Sequence, residues 1–159
     1  MPPPILLASA SPRRSELLRQ IGIAHEVRPV ALDESAHAGE APAAYVLRLA
    51  EAKARALWER LAADERRPVL AADTTVALEG EIFGKPADAA ESRAMLQRLA
   101  GRTHQVHTAV ALVHADGAAA RVSSSDVSLR DLSPAELDWY WRTGEPGDKA
   151  GGYAVQGRA

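Results

Sequence analysis

No cysteine occurs among the 159 residues, which excludes disulfides and thiolate metal sites. Neither sign of charge is in excess: 19 Lys and Arg against 21 Asp and Glu give a formal net charge of −2. That balance argues against a general nucleic-acid-binding surface, although a local basic pocket remains compatible with it. No apolar run approaches the length that spans a membrane. The start Met1-Pro2-Pro3-Pro4 lacks the basic and long apolar regions of a secretory signal. Internal repeats, low-complexity linkers and breaks in composition are absent too. These absences leave an ordinary soluble cytoplasmic domain, 47% hydrophobic and 25% charged, with enough apolar residues for a real core. Its partner is expected to be a small molecule rather than a membrane or a nucleic-acid polymer.

The pattern of elements is mixed. Ile5 to Ala8 read as a short buried strand, followed by a helix on which Leu17, Leu18 and Ile21 recur at helical spacing. His25 to Leu32 reads as a second strand, and a polar loop with Asp33, Glu34 and Gly39 follows it. A long helix starts near Pro42 and runs to about Ala63, with Val46, Leu49, Ala50, Leu57 and Leu61 on one face. Val69 to Ala72 is a compact strand that continues extended to Leu78, and Glu79-Gly80-Glu81 turns into Ile82-Phe83. Asp88 with Glu91 opens a helix ending at Gly101. Gln105 to Val113 and Arg121 to Leu129 alternate as a strand pair around Asp116-Gly117, and Ser133-Pro134 with Glu136 begins a last helix to about Thr143. The fold class is α/β, or α+β with a mixed sheet flanked by helices.

Ser9-Ala10-Ser11-Pro12-Arg13-Arg14 lies between the first strand and the first helix. Ser11 suits the N-cap and Pro12 the first helical position. Unpaired N–H groups, the positive end of the helix dipole and planar guanidinium donors together favour phosphate. Ser-Pro is also ordinary capping chemistry, and paired arginines often lie in solvent. Against that reading, cations in a first turn are unhelpful unless an anion joins them.

Asp73 ends the apolar run Val69 to Ala72 and precedes Thr74-Thr75. In open sheets, ligands gather beyond the carboxyl ends of strands, where an Asp can bind metal or position water, or simply cap a turn. Gly84-Lys85-Pro86 places a lysine on restrained backbone, suited to phosphate. Lys53 falls between Leu49 and Leu57 on the apolar face, which points to a pocket or to snorkelling of its stem. In the segment Gly144 to Gly157, Asp148, Lys149, Tyr153 and Gln156 alternate with glycines, as a loop closing over a ligand requires.

These segments resemble the Maf family of nucleoside triphosphate pyrophosphatases over nearly the whole chain. The matching motifs are SASPRR at Ser9 to Arg14, AADTTV at Ala72 to Val76, GKP at Gly84 to Pro86, HQVHTAVAL at His104 to Leu112 and GEPGDKAGGYAVQG at Gly144 to Gly157. The resemblance implies a mixed α/β fold with a cleft and a requirement for Mg²⁺ or Mn²⁺. It also implies hydrolysis of a nucleoside triphosphate to monophosphate and pyrophosphate. Asp73 matches the proton-accepting Asp, while Ser9, Arg14, Lys53 and Lys85 match phosphate-binding positions. Asp148 and Lys149 join the substrate-binding set, and Glu34 matches an acidic position that helps hold metal beside Asp73.

Arg13, Thr74 and Gln156 match the positions associated with substrate choice, and the trio is similar to that of the dTTP/UTP pyrophosphatase branch. A Gln amide and an Arg suit the carbonyls and the single N–H of a neutral pyrimidine, whereas a carboxylate suits a methylated guanine. Two other functions fit the resemblance: a non-catalytic nucleotide-binding regulator of septum formation, and an enzyme clearing noncanonical purine triphosphates. A pure sensor has no need of a general base such as Asp73, and Gln156 with Arg13 argues against the purine reading. Family members continue beyond the Gln156-Gly157 motif for a further strand pair and helix, so the domain 1–159 is expected to lack these. A homodimer is implied by resemblance alone.

Overall fold

The computed structural model describes residues 3–158; Met1, Pro2 and Ala159, which figure in the reading of the two termini, lie outside the described residues. The elements run β1 (Ile5–Leu7), α1 (Pro12–Gln20), β2 (His25–Val27), α2 (Pro42–Arg60), β3 (Val69–Leu78), β4 (Glu81–Phe83), α3 (Ala89–Leu99), β5 (Thr103–His114), β6 (Gly117–Ser128) and α4 (Pro134–Arg142). The sheet order is β2-β1-β3-β5-β6, with β4 paired to β3 off that path. Strand β1 runs parallel to both β2 and β3, while β4 runs antiparallel to β3. This is the mixed α/β sheet expected from the sequence. Of the described residues, 3–73 and 108–123 make one compact unit, and 74–107 and 124–158 make another.

In the first unit, β1 and the start of β3 are buried on both faces, as parallel strands under helices are. Helix α2 lays Val46, Ala50, Ala54 and Leu57 against Leu6, Ala8, Val69, Ala71, Ala109, Ala111 and Val113. Small residues on both sides let the helix approach the sheet closely. Pro42 fits the first turn of α2, where its missing N–H costs nothing. Helix α1 departs from the expected pattern: Leu18 and Ser15 are buried, but Leu17 is 45% and Ile21 69% exposed. A nine-residue helix buries a narrow stripe, and here Ser15 takes part of it by hydrogen bonding His25 Nε2 at 2.7 Å. Strand β2 stops at Val27 rather than Leu32 because β1 offers it only three residues to pair with.

In the second unit, β4 returns along the far half of β3 after the turn at Glu79-Gly80. Leu96 and Leu99 of α3, Leu137 and Tyr140 of α4, and Tyr153 pack with Val76, Leu78 and Phe83. Asp88 caps α3, its carboxylate accepting from the Glu91 N–H at 2.9 Å, and Ser133 with Glu136 forms a complete capping box on α4. Arg98 of α3 grips Glu81 of β4 through two hydrogen bonds of 2.5 and 2.8 Å and stacks over Phe83. The connection of β5 to β6 is a two-residue hairpin at Ala115-Asp116, one position earlier than the sequence suggested.

Candidate active site

The distinctive chemistry of the first unit is a knot of charge under the end of β1. Backbone N–H groups of Leu6 and Ala8 donate to the carbonyls of Pro68 and Leu70, pairing β1 with β3. After Leu7 the strand ends, and the next carbonyl in that series, Ala72, instead receives the Arg14 guanidinium at 2.7 Å. Arg14 thus replaces a missing strand neighbour. Its Nη1 also donates to Ser9 Oγ at 3.0 Å, and the same Ser9 oxygen accepts from the Ser11 N–H at 3.2 Å. Ser11 occupies the N-cap of α1 but makes no side-chain cap, contrary to expectation; its backbone is committed to Ser9.

Asp73 is the fifth residue of a ten-residue strand rather than the terminus of one. Its position beside the end of β1 gives it the rim character expected of a strand end, since β3 there has outrun its pairing with β1 at Leu70. Asp73 is 7% exposed and Lys53 8% exposed. Lys53 Nζ donates to Asp73 Oδ1 at 2.8 Å and meets Glu34 Oε1 at 2.6 Å. The lysine lies on the buried stripe of α2 with Leu49, Ala50 and Leu57, so its stem packs as an apolar residue and its ammonium is delivered to the carboxylates. The Lys53 ammonium is held in ion pairs instead of being carried out to solvent by its stem.

Burial pushes the Asp73 carboxyl above the usual aspartate value; Lys53 and Arg14 pull it down, Glu34 pushes it up, and burial prevails. Burial lowers the Arg14 pKa against the opposing charges of Asp73 and Glu34, and a guanidinium so shifted is still a cation near neutral pH. The first unit therefore brings Ser9, Arg14, Glu34, Lys53 and Asp73 into one cluster. Arg13 stands outside it, on the exposed side of α1, paired with Glu16 at 3.0 Å.

Glu34 sits on an irregular segment whose hold on α2 the sequence did not disclose. Tyr45 Oη donates to the Glu34 carbonyl at 2.8 Å, and Arg48 Nη2 donates to the Ser35 carbonyl at 3.1 Å. Arg48 also clasps Glu40 with bonds of 2.6 and 2.8 Å, and this pair holds the Glu40 carboxyl down at about 2. The available signal was Tyr45 and Arg48 facing one direction on α2, three residues apart.

In the second unit, Thr74 begins that unit's portion of β3 and is half-buried. Lys85 is exposed in the loop after β4, between Gly84 and a buried Pro86. Asp148 and Lys149 form an exposed ion pair of 2.7 Å, and Gln156 is exposed near the end of the described chain. Gly151 lies in the left-handed region at φ +69° with its Cα against Val76, where a Cβ would lie 3.0 Å from three side-chain carbons. His104 and Tyr153, both in motif segments, meet through a 2.5 Å hydrogen bond between Nε2 and Oη.

Glu34 and Asp73 supply oxygen donors only, the kind that hard divalent cations such as Mg²⁺ and Mn²⁺ take, and they already converge on one positive atom. Among the described residues no group of three or more His, Cys, Asp or Glu is gathered as a ready-made metal cage. The two carboxylates therefore fit a cation that completes its shell with phosphate oxygens and water. No helix among the described residues is long and apolar enough to cross a membrane.

A protein named dTTP/UTP pyrophosphatase from Anaeromyxobacter sp. is 51% identical over 158 residues, covering 96% of this chain and 74% of its own. One of the same name from Myxococcus xanthus is 52% identical over 156 residues, covering 97% of this chain and 76% of its own. Among solved structures, the Staphylococcus aureus Ham1 protein superposes with a TM-score of 0.51 at 20% identity, over 79% of this chain and 70% of that one, a likeness of fold. The model of the family described as Maf-like protein matches residues 4–159. With that match running almost end to end, the chain belongs to the Maf-like protein family.

Proposed function

We propose that this chain is a nucleoside triphosphate pyrophosphatase that hydrolyses dTTP and UTP to the monophosphate and pyrophosphate. The observation that carries the reading is the buried Lys53 ammonium bridging Asp73 and Glu34 beside Arg14, within a family whose relatives bear that activity in their names. A buried carboxyl with a raised pKa is what a general base needs, because its conjugate acid must hold a proton taken from water. A domain that only bound nucleotide would gain nothing from that expense.

In this mechanism Asp73 orients a water and accepts its proton as the oxygen attacks the α-phosphorus. The bond from the α-phosphorus to its bridging oxygen breaks, and pyrophosphate carries away the electron pair. Lys53 fixes the Asp73 carboxyl through Oδ1 and, with Arg14, offsets the charge that builds on the phosphates. Ser9 holds the Arg14 guanidinium in register. A divalent cation, held by Glu34 and Asp73, would supply further neutralisation of the triphosphate. Lys85, Asp148 and Lys149 are further substrate-binding candidates, and Arg13, Thr74 and Gln156 are candidates for reading the base. The resemblance supports those roles. Its neutral acceptor-rich edge makes a pyrimidine the natural partner of the Gln156 amide.

The test is pyrophosphate release from a panel of dTTP, UTP, CTP, ATP and GTP with Mg²⁺ or Mn²⁺, run in ¹⁸O water. Preferential hydrolysis of dTTP and UTP, with the label in the monophosphate, supports the reading. Label in pyrophosphate would place the attack elsewhere, and preference for a purine would refute the assignment of the base.

A further inference from the structure

The turn that carries Gln156 is held from both sides by one pair of side chains that the proposed mechanism does not use. Residues 154 to 157 close a turn through a hydrogen bond from the Gly157 N–H to the Ala154 carbonyl at 3.1 Å. Tyr140 Oη accepts the Ala154 N–H at 3.1 Å. The Glu145 carboxylate accepts the Arg158 N–H with both oxygens, at 3.0 and 3.2 Å. The Glu145 carboxylate acts on the Tyr140 hydroxyl in the same direction as burial, raising its pKa. The two backbone donors fixed in this way stand two residues before and two residues after Gln156. Gly157 leaves room for the Glu145 carboxylate, which a Cβ there would displace.

Tyr140 is buried on α4, so its hydroxyl is placed by the core rather than by the loop it holds. The residue preceding Ala154 is anchored separately. Tyr153 packs edge-on against His104 with ring centroids 5.5 Å apart and shares the hydrogen bond with its Nε2. A glycine-rich segment with Gly151 and Gly152 would otherwise have much backbone freedom to lose on binding.

We infer that Tyr140 and Glu145 are positioning residues for nucleobase selection, holding the Gln156 turn in a single conformation before substrate arrives. The inference rests on the proposed role of Gln156. The structure supplies the rest: two hydrogen-bonding side chains, one from α4 and one from the segment after it, close on both flanks of the residue in question. Preorganisation of this kind raises selectivity without any contact between the clamp and the substrate.

The experiment compares the full chain with its Tyr140→Phe, Glu145→Gln, Glu145→Ala, Gln156→Ala and Tyr140→Phe/Gln156→Ala forms. Steady-state kinetics on UTP, dTTP, CTP and GTP are combined with amide hydrogen exchange at Ala154 and Arg158. Tyr140→Phe keeps the buried ring and removes one hydrogen-bonding oxygen. It is expected to accelerate exchange at Ala154 and to reduce kcat/KM for UTP and dTTP about tenfold through KM, with kcat little changed. Preference over CTP and GTP should fall by a similar factor. Glu145→Gln keeps an acceptor oxygen and should retain most of the selectivity that Glu145→Ala loses. The double variant should match Gln156→Ala alone, since a clamp has no value without the residue it holds.

Unchanged exchange, a uniform loss of kcat on every nucleotide, or additive losses in the double variant would each overturn the inference. If the unaltered chain hydrolyses UTP and dTTP selectively while the Tyr140 and Glu145 variants keep that selectivity, the inference fails alone. If the unaltered chain shows no such selectivity, the functional reading fails and takes the inference with it.

Discussion

Asp73 carries its charge in a buried setting, and the pH at which it gives up its proton sets the pH at which the proposed chemistry can start. Its folded-state pKa is raised, so the base is lost as pH falls through a value above the ordinary aspartate figure of about 3.9. The acid limb of kcat/KM should lie on that higher side. Lys53→Met removes the hydrogen bond and charge that oppose burial, so the limb should move to higher pH; a pH profile that stays in place would separate Lys53 from the ionisation of Asp73. Four of the five residues of this cluster were legible in the sequence, for different reasons. Asp73 and Lys53 stood out as charges in apolar runs, and Ser9 and Arg14 as polar groups at a strand-to-helix turn. Glu34 carried no such signal, because an irregular loop has no periodicity against which a residue can look misplaced. Tyr45, Arg48 and Glu40 were illegible as supports of that loop, since their value lies in backbone carbonyls that only the folded chain brings to them.

At the scale of elements, helices were read well from a wide apolar stripe, as in α2, or from capping residues, as in α3 and α4. Helix α1 shows the limit: Leu17 and Ile21 have the right spacing, yet a short helix beside a three-residue strand gives them nothing to bury against. Strand β3 was legible as two extended pieces, and their union into ten residues through Asp73 reflects continuous pairing that no local pattern announces. The Ser133 capping box is a testable part of this account. Ser133→Ala should lower unfolding stability by about 1 kcal/mol, measured by urea denaturation. Gly151→Ala should cost more, about 1 to 3 kcal/mol, because a side chain there meets both a positive φ and the branched carbons of Val76. Equal midpoints for Gly151→Ala and the unaltered chain would show that this segment yields more readily than its geometry indicates.

For the molecule as a whole, His104 couples stability to pH. It is 2% exposed, its Nδ1 has no hydrogen-bond partner among the described residues, and burial holds its pKa below the ordinary histidine value of 6.5. As pH falls below that value the unfolded chain binds the proton first, so unfolding becomes easier until the folded-state pKa is passed. His104→Gln should flatten this acid decline relative to the unaltered chain, in denaturation curves compared point by point from neutral pH downward; parallel curves would show that His104 does not contribute. The family and the fold class could both be read before any coordinates, since motifs in fixed order cover almost the whole chain. What only the structure supplied is the joining of the buried Asp73 and Lys53 with the exposed Glu34 into one cluster. That cluster as the catalytic centre is the central claim, and single-turnover pyrophosphate release from UTP by the unaltered chain and by Asp73→Asn, with nucleotide binding measured alongside, tests it most directly. The account predicts that Asp73→Asn binds UTP with similar affinity and releases pyrophosphate at least about a hundredfold more slowly; release at the unaltered rate would contradict it.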